Sequence, residues 1–129
     1  MPIVSFIGAG PGDPELITLK AINRIKKAGL IIYAGSLVPP EVFRPHTSLA
    51  DEKIINSADL TLEEIHENMV AAIQQNLDIA RIHTGEPAIY GAIYEQMAQL
   101  DTEGIDYEVI PGISSSMAAA AALNAELTI

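Results

Sequence analysis

Apolar positions along the chain fall into two alternating kinds of block. Short apolar runs at residues 2–7, 30–33 and 78–83, and briefer ones at 53–56 and 107–110, are bounded by Gly, Pro, Asn or Asp. Runs of that length with those boundaries predict strands, and the more continuously apolar ones predict strands covered on both faces. Between them the spacing of apolar residues lengthens to three and four. Leu19, Ile22 and Ile25 place a helix over 18–28, with Thr18 or Asp13 as a cap for its first turn and Gly29 as its end. Leu62, Ile65, Met69 and Ile73 place a second over 61–75, opened by a Thr61/Glu64 capping box. Ile93, Met97 and Leu100 place a third over 89–102, stopped by Gly104, and an alanine-rich stretch places a fourth over 114–124. Residues 34–45 contain three prolines and predict a loop with one helical turn.

Strands alternating with helices imply βα units. The expected fold is α/β, a three-layer αβα arrangement around a mostly parallel five-stranded sheet, within one domain of 129 residues. The carboxyl ends of parallel strands share one edge, and open α/β folds bind ligands there. Three strands run into Gly- or Pro-containing loops, "GAGPGDP", "TGEPAIYG" and "PGISSS". Any one of them is an ordinary βα turn, but three at one edge define a site.

The first loop begins like a dinucleotide fingerprint and then departs from it. The third glycine of G-x-G-x-x-G would fall at Asp13, and the second strand ends Ile32, Tyr33, Ala34 without the acid that holds a ribose. Pro11 removes a backbone N–H from a loop whose anion affinity would depend on such donors, and no G-K-[ST] follows. A nucleotide-dependent oxidoreductase is therefore disfavoured. Glycines and prolines with few charges suit an adenosyl ligand without phosphates, which asks for apolar surface and close backbone approach.

Composition narrows the partners. Seventeen acids against seven bases give a formal charge of −10, the wrong sign for nucleic acid. Cysteine is absent, which excludes disulfides, thiolate zinc sites and cysteine nucleophiles, and a reducing cytoplasm is the expected compartment. Neither a basic amino-terminal region nor an apolar run near the ~20 residues of a spanning helix is present, so no membrane association is expected. His46, His66 and His83 lack ligand spacing, and no metal site is expected. His83, just before the second loop, has two readings, a neighbour of the ligand or, the better of the two, a hydrogen-bonded structural histidine.

The segments "IGAGPGDPELITLKA", "YAGSLVPPE", "RIHTGEPAIYGAIYEQM" and "YEVIPGISSSMAAAAALNAELT" together resemble the tetrapyrrole methylase family, from Ile3 to Ile129. More narrowly they resemble its precorrin-4 and cobalt-precorrin-4 C11-methyltransferases of cobalamin biosynthesis. The resemblance implies S-adenosylmethionine as cofactor, a corrinoid precursor as substrate, and a homodimer of chains about twice this length with two α/β domains. These residues would then be the amino-terminal domain, with the second domain absent. It implies cofactor contacts from Pro11 in the first loop, from Thr84, Gly85, Glu86, Ile89 and Tyr90 in the second, and from Ser114 and Ser115 in the third.

Glu86 stands where the family usually has Asp, setting the carboxylate one methylene further out. Tyr33 is followed by Ala34, Gly35 and Ser36, so the acid found there in uroporphyrinogen methylases has no counterpart, and no catalytic base is assigned. Methyl transfer from a sulfonium to a ring carbon needs alignment and exclusion of water more than it needs a protein nucleophile. Tyr33 and Ser36 are candidates for orienting substrate, and Arg44 for meeting one of its carboxylates. The alternative is a cofactor-binding or assembly module that does not turn over by itself.

Overall fold

The computed structural model describes residues 1–89 and 92–128. Five strands, β1 (Val4–Gly8), β2 (Leu30–Tyr33), β3 (Ile54–Asn56), β4 (Ile79–His83) and β5 (Tyr107–Ile110), form one sheet in the order β3-β2-β4-β1-β5. All four strand pairings are parallel. The central strands β1 and β4 are buried at every position, β4 including its Arg81 and His83.

Crossovers of opposite direction place helices on both faces. Helix α1 (Leu19–Lys27) covers one face, where Ala21 and Ile25 join Ile7, Ile31, Ala80 and Ile82 in a core completed by Val38, Val42 and Phe43. Helices α2 (Leu62–Gln74) and α3 (Ile93–Thr102) cover the other, packing Ile65, Met69, Ile93 and Leu100 on Val4, Phe6, Ile32 and Ile79. Helix α4 (Ser115–Ala122) buries none of its residues within the described chain, and Met117 and Leu123 near it are exposed. These layers match the architecture expected from the sequence.

Local signals explain most boundaries. Both proposed caps operate: Asp13 accepts from the Glu15 amide at a single 3-10 turn (Pro14–Leu16), and Thr18 accepts from the Ala21 amide at α1. The Thr61/Glu64 box is complete, each side chain bonding the other residue's backbone N–H. The proline-rich 34–45 segment holds two 3-10 turns, Pro40–Val42 and Arg44–His46, rather than one turn.

Two expectations need correction. The third helix starts at Ile93 instead of residue 89, because Ala92 is left-handed at φ 53° and residues 87–89 form a turn closed by the Ile89 amide on the Glu86 carbonyl. Leu19 and Leu62 face solvent, each at the first position of its helix and off the buried stripe, which runs through Ala21 and Ile25 in α1 and through Ile65, Met69 and Ala72 in α2.

Candidate functional site

The loops after β1, β4 and β5 meet backbone to backbone at the carboxyl edge. A side chain on Gly8 would put its Cβ 2.6 Å from both the Gly85 carbonyl oxygen and the Gly112 amide nitrogen. One on Gly112 would collide with the backbone of Gly8 and Gly85. Gly8 and Gly112 let the loops cross at contact distance, and Gly85 supplies a positive φ of 59° beside them.

The first loop is then stitched to the second. The Ala9 amide donates to the His83 carbonyl at 2.8 Å, the Gly10 amide to the Gly85 carbonyl at 3.2 Å, and the Gly85 amide to the Gly10 carbonyl at 2.7 Å. Gly10 adopts φ 79° to make this antiparallel bridge. With two amides bonded to protein and Pro11 lacking one, the loop has few donors left for a phosphate, in keeping with the sequence argument.

A cavity of about 380 Å³ opens at the same edge, within the ~300–1,000 Å³ range of small-molecule pockets. Its walls come from the end of β2 (Ala34, Leu37), from β4 and its loop (Arg81, His83, Thr84, Gly85, Glu86, Ile89), and from the start of α4 (Ser114, Ser115, Ser116). Six residues singled out from the sequence, Thr84, Gly85, Glu86, Ile89, Ser114 and Ser115, are thereby brought together. Tyr90 lies outside the described residues. Pro11 sits half-buried in the first loop and is not among the lining.

The substrate candidates lie elsewhere. The Tyr33 ring packs on Phe43 with centroids 4.9 Å apart, and Ser36 is exposed beyond the lining. Arg44 is a surface residue whose Nη2 donates to Asp51 Oδ1 at 2.8 Å. Glu86 turns part of its carboxylate back on its own loop, where Oε2 accepts from the Ala88 amide.

Arg81 escaped the sequence reading, and His83 lines the cavity, as one of its two readings had it. Alternation along β4 puts Ala80 and Ile82 on the α1 face and turns Arg81 and His83, like Ile79, to the α2/α3 face. Both are 5 % exposed. His83 is structural in its burial but not hydrogen-bonded as expected: Nε2 has no partner among the described residues, and the ring lies 6.1 Å from Phe6. Burial, then the nearby Arg81 charge, lowers its imidazolium to about 3, so it is neutral at physiological pH. Burial also lowers Arg81, to about 10, leaving it charged. The signal was present in "DIARIH": a central parallel strand is covered on both faces, and arginine is seldom buried without a partner.

Among the described residues no cluster of His, Cys, Asp and Glu could hold a metal ion, and no helix is long and apolar enough to cross a membrane. What remains is a parallel α/β domain with an organic-ligand cavity at its carboxyl edge, apolar for the most part and furnished with hydroxyls, one acid and one buried cation. The chain belongs to the tetrapyrrole (corrin/porphyrin) methylases, whose family model matches residues 4–129.

It is 52 % identical to the cobalt-precorrin-4 C(11)-methyltransferase of Methanocaldococcus jannaschii, covering 98 % of this chain and 48 % of that protein. It is 47 % identical to the precorrin-4 C(11)-methyltransferase of Pseudomonas aeruginosa, covering 98 % and 49 %. The X-ray structure of a cobalamin biosynthetic enzyme, cobalt precorrin-4 methyltransferase, superposes with a TM-score of 0.91 at 43 % identity, covering 98 % of this chain and 52 % of that one. The uroporphyrin-III C-methyl transferase of Thermus thermophilus, complexed with S-adenyl homocysteine, superposes with a TM-score of 0.74 at 32 % identity, covering 91 % and 47 %. The chain thus spans about half the length of the relatives it matches.

Proposed function

We propose that these residues form the amino-terminal, cofactor-binding wall of an S-adenosylmethionine-dependent methyltransferase that acts at C11 of precorrin-4 or its cobalt form. The single observation that carries this reading is the likeness to C11-methyltransferases along nearly the whole chain, at 47–52 % identity. The cavity supports it: few donors in the first loop for a phosphate, apolar Ala34, Leu37 and Ile89 for an adenine, and orphaned buried polar atoms in the wall.

When bound, S-adenosylmethionine supplies an electrophilic methyl group to an electron-rich ring carbon. Thr84, Gly85 and Glu86 would hold its polar groups from one side and Ser114 and Ser115 from the other, with Ile89 covering the apolar part and Pro11 flanking; Tyr90 stays a proposed contact. The crossed glycines fix these loops relative to one another, so the chain contributes orientation and exclusion of water. Tyr33, Ser36 and Arg44 stay proposals for substrate contact. The exposed α4 offers apolar surface for a second domain or second copy, and turnover by residues 1–129 alone is not expected.

Calorimetry with S-adenosylhomocysteine and with NAD tests the cofactor class. Binding of the adenosyl ligand in preference to NAD is expected, and tight NAD binding with none for S-adenosylhomocysteine would overturn the reading. A methylation assay with precorrin-4 tests the rest: robust turnover by this chain alone would show that no further wall is needed.

A further inference from the structure

The chain contains three arginines, and they divide sharply. Arg24 is paired with Glu108, which also accepts from the buried Ser5 hydroxyl, and Arg44 is paired with Asp51. Both lie at the surface side of the fold, where a guanidinium could be left to water. Arg81 is 5 % exposed and has no carboxylate partner among the described residues. Its Nε donates to the Gln96 amide oxygen at 3.3 Å, and its Nη1 has no acceptor among the described residues. The charge is thus buried where it costs most and supplied with a neutral acceptor at one corner only.

Its surroundings are those of an anion site. Arg81 lines the cavity, together with Ser114, Ser115 and Ser116 at the amino-terminal end of the eight-residue α4, where backbone donors and helix dipole favour negative charge. The adjacent His83 is neutral and adds no competing charge. We propose that Arg81 is a carboxylate-binding residue, its free guanidinium edge receiving a carboxylate of the ligand that occupies this cavity. The proposal rests on the cofactor reading above for which ligand that is.

Two ligand carboxylates share this chemistry, the α-carboxylate of the cofactor's amino-acid end and an acidic side chain of the tetrapyrrole. Glu86 in the same cavity favours the former, since an acid and a guanidinium together complement an ammonium and a carboxylate.

The test is calorimetry on the whole chain and on Arg81→Met and Arg81→Lys, with three titrants: S-adenosylhomocysteine, its decarboxylated analogue, and uroporphyrin as an acidic tetrapyrrole. Removing the cofactor carboxylate should weaken binding to the wild type by about 10- to 100-fold, the scale of a charge-assisted hydrogen bond. Arg81→Met should lose that same factor for S-adenosylhomocysteine and little for the analogue. If the coupling to Arg81 appears only with uroporphyrin, the carboxylate is the substrate's, and the proposal holds.

Equal weakening of S-adenosylhomocysteine and its analogue by Arg81→Met, with no effect on uroporphyrin, would reduce Arg81 to a structural role and overturn it. Failure of the wild type to bind either adenosyl ligand defeats the cofactor reading instead. The uroporphyrin titration then decides on Arg81 by itself, and its absence or independence of Arg81 overturns the proposal. Because Arg81→Met can unfold the chain, 15N guanidinium spectra of the wild type provide a second measurement. With three arginines the resonances are readily separated, and the Arg81 signal should shift with a carboxylate-bearing ligand and not with the decarboxylated analogue.

Discussion

Acidification from pH 7.5 to 5.0 probes the imidazole in the cavity wall. His83 is buried, and desolvation first and the Arg81 charge second lower its imidazolium from 6.5 to about 3. The folded chain therefore keeps His83 neutral over an interval in which the unfolded chain takes up a proton. Because the unfolded state binds more protons there, stability rises with pH, is fully present above about 6.5 and is lost as pH falls toward about 3. Those two values give a loss of about 2 kcal/mol at pH 5.0 relative to pH 7.5.

Urea denaturation of the wild type and of His83→Gln at both pH values measures it. The variant lacks the titrating group, so its own loss over the interval should be smaller by that ~2 kcal/mol, whatever its stability at pH 7.5. The comparison removes the contribution of every carboxylate common to both proteins. Equal losses in the two proteins would refute the claim that His83 is held neutral by its burial beside Arg81.

Two further substitutions test the scaffold under the site. Gly112→Ala should destabilise the chain by about 3 kcal/mol in the same urea assay, because its Cβ meets the backbone of Gly8 and Gly85 rather than a side chain that can move aside. Thr61→Ala should cost about 1 kcal/mol by removing one half of the α2 capping box, and it should leave ligand affinity unchanged in calorimetry because α2 contributes nothing to the cavity lining.

The periodicities carried the architecture because the competing signals were few. β2 and β5 fall at the expected residues, since Gly29 and Pro111 bound them without ambiguity. The start of α3 did not, because Gly91 was passed over as a breaker and Ala92 adopts a left-handed backbone that its side chain does not advertise. Leu19 counted as apolar by spacing, yet a leucine at the first helical position can satisfy the period and still point outward.

At the site, the edge and most of the lining were legible from the three loops. Leu37 and Ala34 were not, because the segment after β2 that carries them was read as a proline-rich loop and not counted with the three ligand loops. Arg81 was hidden by being read as part of a strand. Its face follows from the alternation in "IARIH", but its burial and its missing partner depend on where α3 and Gln96 lie.

The bridge between Gly10 and Gly85 also bears on molecular competition in the cell. A glycine-rich loop after a first strand is the usual place to catch a nucleotide's phosphates. Here discrimination is written into the path of the main chain, whose Ala9 and Gly10 amides already face carbonyls of the next loop. Exchanging side chains around that loop would leave those amides occupied, so converting it to a phosphate binder would require rerouting the backbone itself.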